Sequence, residues 1–146
     1  MNTILNFLGS DHRACDNLFA AAEENMANSN WEHGSKLFDQ FCKAMERHFA
    51  MEEDVLFPAF EAKSGNTMGP TQVMRMEHEQ MRALMRDMKA AVAGGREADY
   101  LGLSETLNMI MQQHNLKEEN MLYPMSDRVL AESREAVLSG MDAVQR

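Results

Sequence analysis

Apolar residues recur at three-and-four spacing through four stretches of the chain, and in each stretch a histidine occupies the apolar stripe itself. The first stretch, from Ser10 or Asp11 to Met26, presents His12, Cys15, Phe19, Ala22 and Met26. A second, capped by Ser29 or Asn30, presents Phe38, Phe41, Met45, His48, Glu52 and Val55 before Pro58 bends or ends it. Met74, His78, Met81, Met85, Met88 and Val92 form a third stripe between Pro70 and the C-cap signal Gly94-Gly95. The fourth carries Leu107, Met111, His114, Glu118 and Met121, and Pro124 follows as Pro58 follows the second. Short linkers around Ser64-Gly65-Asn66 and Gly94-Gly95 make successive helices antiparallel neighbours. The pattern predicts an all-α protein, an up-down-up-down four-helix bundle over residues 1–126. A short C-terminal helix in 127–146 follows, its Val129, Leu130, Val137, Leu138, Met141 and Val144 packed on the bundle or in a subunit contact.

The bundle is a duplicated helical hairpin. The segment HFAMEEDVLFP, from His48 to Pro58, reappears as HNLKEENMLYP, from His114 to Pro124, at an offset of 66 residues (114 minus 48). The same offset relates His12 to His78 (78 minus 12), so each half carries one lone His followed by one His-x-x-x-Glu. Counted outward from the two hairpin turns, His12 lies level with His48 and His78 with His114. A four-residue step adds about 6 Å of rise and about 40° of rotation, which keeps Glu52 and Glu118 on the inward face. Six groups therefore converge on one slab of the bundle. His33 does not join them, because it precedes His48 by 15 residues (48 minus 33), about 22 Å along a helix, and its repeat counterpart is Asp99. Glu53 and Glu119 lie a further 100° or so round their helices, facing solvent or supporting the ligands from outside.

Burying two unpaired glutamates costs several kcal/mol each, and no Arg or Lys shares the inward stripes. A dication removes that cost. Imidazoles with two carboxylates able to bridge favour a pair of hard or borderline ions, iron or manganese first. A zinc-protease motif would need a second His four residues after His78, where Arg82 stands, and a ferritin-like Glu-x-x-His would need Glu at Met45 and Met111.

Composition narrows the setting. With 23 acidic against 14 basic residues among 146, the net charge of −9 disfavours nucleic acid and anionic membrane surfaces. No apolar run approaches a membrane span, and the opening MNTILNFLGSDH has no basic residue before its short apolar stretch, so the chain reads as cytoplasmic. Cys15 and Cys42 read as reduced, buried thiols and the 15 methionines as deformable core packing.

On His12, His48-x-x-x-Glu52, His78 and His114-x-x-x-Glu118, in order on four successive helices, the chain resembles the hemerythrin-like family, the HHE cation-binding domains, over residues 1 to 126. The resemblance implies two non-haem iron ions, with manganese or zinc as substitutes, bridged by Glu52 and Glu118. His12 and His48 would serve one iron and His78 and His114 the other. Two departures stand out: oxygen-carrying hemerythrins have a second His at the place of Arg82, and their fourth-helix carboxylate is an Asp at i+5, where this chain has Glu118 at i+4. The chain looks closer to relatives implicated in iron handling and in nitrosative or oxidative stress. The implied function is a di-iron protein that reacts with or senses O2, NO or peroxide, as a monomer or homodimer. The alternatives are a reversible oxygen or iron carrier and an enzyme with peroxidase-like or iron-donating repair activity. Without an imidazole at position 82, one iron is expected to keep an open position, in an apolar pocket flanked by Met74, Met81 and Met85.

Overall fold

The computed structural model describes residues 2–145, and among them every element is helical. The elements are α1 (Ile4–Ala27), α2 (Trp31–Ala50), α3 (Phe57–Ser64), α4 (Pro70–Ala93), α5 (Glu97–Lys117), α6 (Tyr123–Val129) and α7 (Arg134–Asp142). A π-helical segment, Met51–Leu56, joins α2 to α3, and a second, Glu118–Leu122, joins α5 to α6. The bundle's four long members are thus α1, α2 continued by α3, α4, and α5 continued by α6. The α1–α2 and α4–α5 hairpins form its halves, and α7 packs against the first π segment. The sharp turns after α3 and α4 place Gly65 and Gly95 at φ 72 and 66, a conformation that other residues adopt only at a cost.

Three details differ from the sequence-based expectation. Helix α1 starts at Ile4 rather than at Ser10 or Asp11. Thr3 caps it, its hydroxyl accepting from the Asn6 N–H, and the Asp127 carboxylate of α6 accepts from the Ile4 and Leu5 N–H groups. These extra turns bury Ile4 and Leu8 in line with His12. At the start of α2, Asn30 holds the cap position, but its side chain donates to Asn25, and Ser29 lies in the left-handed region at φ 62.

The third difference concerns the prolines, which neither end nor sharply break their helices. The Phe57 N–H donates to the Glu52 carbonyl and the Tyr123 N–H to the Glu118 carbonyl, five residues back, just before Pro58 and Pro124. Widened turns accommodate a ring that has no N–H and would collide with a regular helical carbonyl. They also shift the stripe by one residue. Leu56 and Leu122 are buried where Val55 and Met121 were expected, and Met121 is 62% exposed.

Two apolar clusters fill the interior. One gathers Phe19, Phe38, Phe41, Met45, Phe49, Met81, Met85 and Met111, and the other Ile4, Leu8, Leu56, Phe57, Phe60, Met74, Leu122, Val137 and Met141. On every bundle helix, the proposed ligand falls between residues of one cluster and residues of the other. The polar slab is therefore sandwiched between two dry layers.

Candidate metal centre

The structure brings all six sequence-predicted residues together. His12, His48, Glu52, His78, His114 and Glu118 are each at least 95% buried. Their facing atoms form two overlapping groups, Glu52–His78–His114–Glu118 and His12–His48–Glu118, within each of which the donor atoms lie within 4.8 Å of one another. Helix geometry makes this convergence. Glu52 and Glu118 begin the first turn after α2 and α5, at the π segments, so each stays on its histidine's face while the chain beyond rotates outward. His33 is exposed near the start of α2, away from the cluster.

Each imidazole is held from behind by a carboxylate. The Nδ1 atom of His12 lies 2.8 Å from Glu119, that of His48 2.7 Å from Asp11, that of His78 2.6 Å from Glu53 and that of His114 2.8 Å from Glu77. An ionised carboxylate only accepts, so Nδ1 carries the proton and Nε2 is directed inward. Glu53 and Glu119 thus support the ligands from outside. Asp11 and Glu77 were missed by the sequence reading, although they immediately precede His12 and His78 and obey the same 66-residue offset (77 minus 11).

The backing carboxylates are anchored unequally. Arg82 donates to both oxygens of Glu53 and also to Glu46 and Glu79, with its guanidinium 4.8 Å from the Phe49 ring centroid. Lys117 pairs with Glu77. Burial opposes ionisation of Glu53, but hydrogen bonds from His78 and Arg82 overcome it and hold this carboxyl down at about 2. Arg82 therefore reaches His78 only through Glu53. Arg82→Met, which keeps an apolar stem over Phe49, should weaken metal affinity about 10–100-fold by releasing the residue that orients His78. The exposed neighbour Arg86, changed to Met, should leave affinity unaltered in the same titration.

Without a metal, the cluster is electrostatically frustrated. Burial and the neighbouring Glu118 raise Glu52 above the usual carboxyl range, whereas hydrogen bonds from Glu52 and the imidazoles outweigh burial and hold Glu118 well below it. Burial opposes charge on His12 and His78 too, yet the hydrogen bonds that the first donates to Glu118 and Glu119, and the second to Glu52 and Glu53, raise both to about 9. Nε2 of His114 lies 3.2 Å from Glu118 Oε1, but neither it nor Glu118 Oε2 makes a hydrogen bond among the described residues. Buried polar atoms are seldom left so. Six carboxylates surround four imidazoles, and a cation-rich occupant fits this donor set.

The sign of the pH dependence follows. Protonated His12 and His78 stabilise the metal-free fold fully below their ordinary 6.5, and this contribution is lost as pH rises through about 9. A metal must displace those protons, so affinity should climb over the same interval. Calorimetric melting with anaerobic manganese(II) and with chelator should show the gap between loaded and metal-free protein widening from pH 6.5 to 9. A constant or narrowing gap would contradict the assignment.

Tyr123 was also missed. Its fully buried hydroxyl donates to Glu52 Oε2 at 2.6 Å and lies 2.9 Å from Glu118 Oε1. Burial, and then the Glu118 and Glu52 charges, push its ionisation well above the usual phenol range. Its repeat counterpart is Phe57 (123 minus 66), whose ring stacks on His78 at 5.7 Å, while Phe49 stacks on the same imidazole at 4.1 Å. The only sequence signal was that exchange of Phe for Tyr within the repeat. Around His78 the expected apolar surround is present, built by these two rings as well as by buried Met74, Met81 and Met85.

Among known proteins, the family model of the hemerythrin HHE cation binding domain matches residues 3–126. No curated protein and no solved structure gives a significant match to the chain.

Proposed function

The chain belongs to the hemerythrin HHE cation-binding domain family, and from that premise we propose that its six buried ligands hold two iron ions bridged by Glu52 and Glu118. The centre reacts with, or senses, O2, NO or a peroxide in the cytoplasm. The observation that carries this reading is the convergence of four inward imidazole edges and two carboxylates, with a carboxylate behind every imidazole. Two carboxylates and four neutral imidazoles match the charge and donor preferences of a pair of divalent irons. Bound iron supplies electron exchange with a small oxidant.

The chain's own residues set the conditions for that exchange. Asp11, Glu53, Glu77 and Glu119 fix the imidazole tautomers and make the inward nitrogens better donors. The apolar clusters on both sides keep bulk water from the ligands and favour small uncharged molecules over anions. Arg82 supplies no imidazole, since its guanidinium is occupied by Glu46, Glu53 and Glu79 outside the slab. This departure from the oxygen carriers favours reaction over reversible carriage.

Stopped-flow mixing of anaerobically reduced, iron-loaded protein with O2 or NO tests the reading. Rapid optical change that survives degassing is the expected result. An O2-dependent spectrum that reverts on degassing would instead assign the protein to carriage.

A further inference from the structure

The two donor groups are unequal. Glu52, His78, His114 and Glu118 offer four atoms to one position, whereas His12, His48 and Glu118 offer three to the other. Tyr123 stands on the deficient side. Its hydroxyl oxygen is 3.2 Å from His12 Nε2 and 3.4 Å from His48 Nε2, in addition to its short contacts with Glu52 and Glu118.

These separations are informative. Atoms bound to one ion at about 2.1 Å, with adjacent bonds near a right angle, stand about 3.0 Å from one another. Glu118 Oε1, itself a predicted ligand, is 3.0 Å from His12 Nε2 and 3.2 Å from His114 Nε2. The phenol oxygen is thus spaced from four donor atoms as one more vertex of the same polyhedron. The repeat supports this placement, because the equivalent residue, Phe57, stacks on His78 beside the position that already has four donors.

We propose that Tyr123 is a seventh protein ligand, whose phenolate oxygen completes the His12–His48–Glu118 position. As the metal–oxygen bond forms, the phenol O–H bond breaks and its proton leaves to solvent, with no change of oxidation state. The inference rests on the two-iron reading and makes the ions inequivalent. The four-donor position fills first, and the second depends on Tyr123.

The experiment is to load the full chain with iron, oxidise it to the ferric state, and record visible absorption and resonance Raman spectra alongside metal content. A phenolate-to-iron charge-transfer band with enhanced tyrosinate ring modes is expected. It should vanish in Tyr123→Phe and persist in Tyr100→Phe, the chain's other tyrosine. Tyr123→Phe should fold, since the repeat already buries Phe at position 57. In a manganese(II) titration this variant should keep the first equivalent and bind the second at least tenfold or so more weakly, a loss no smaller than that of a supporting partner. Two bound irons without the band, or a band that survives in Tyr123→Phe, would overturn the assignment of Tyr123 and leave the two-iron reading standing. A chain that binds no metal would overturn both.

Discussion

Glu118→Ala should retain less than one metal ion per chain under loading that gives two in the parent protein. Glu118 is the one residue shared by both donor groups, so its loss removes a ligand from each position at once. Glu52→Ala should be milder, because Glu52 lies 3.0 Å from His78 Nε2 but 3.5 Å from His48 Nε2, so the His12–His48 position loses less and one weakly held ion should remain. The metal-free bundle should suffer less than the loaded one in both variants. Removing a buried carboxylate deletes its desolvation cost along with its hydrogen bonds, and these partly offset. Metal analysis after desalting reads the first effect and thermal melting the second. Two ions retained by Glu118→Ala would place the bridge elsewhere.

Chelation of the loaded parent protein should lower its melting temperature by roughly 10 °C. At free metal about a thousandfold above Kd, binding to the folded state alone stabilises it by about 4 kcal/mol, and for a chain of this size each kcal/mol moves the midpoint by a few degrees. The shift should disappear in Glu118→Ala at the same metal concentration. Ordinary core variants offer the contrast. Met111→Ala, in the apolar cluster beside His114, should lower the melting temperatures of both forms and keep their difference. Equal melting temperatures for loaded and chelated parent protein would mean that the buried cluster contributes no binding energy to the fold.

The repeat made the four histidines and both buried glutamates of the cluster legible, because duplication preserves residue type and spacing where chemistry needs them. Helical rotation placed Glu53 and Glu119 just outside the ligands, and the helical turn count kept His33 away. The same offset also held Asp11 and Glu77, but an acidic residue beside a histidine is too ordinary to single out without knowing which way the ring faces. Asp11 stood instead at the expected start of the first helix. The true start depends on Asp127, 123 residues from Ile4, and such a long-range cap has no local signature. The π turns were hidden for another reason. Val55 and Leu56, like Met121 and Leu122, are apolar neighbours, and a one-residue shift within such a pair leaves the pattern intact. Tyr123 lay inside the recognised repeat as a generic aromatic, and its hydroxyl acquires meaning only when four ligand atoms surround it.

Anomalous diffraction at the iron edge from crystals of the iron-loaded full chain tests the central claim most directly. Two iron peaks about 3.5–4 Å apart are expected within the slab, one against His78 and His114 and one against His12 and His48, with Glu52 and Glu118 between them. A single peak, or peaks outside these six residues after saturating loading, would contradict a carboxylate-bridged two-iron centre.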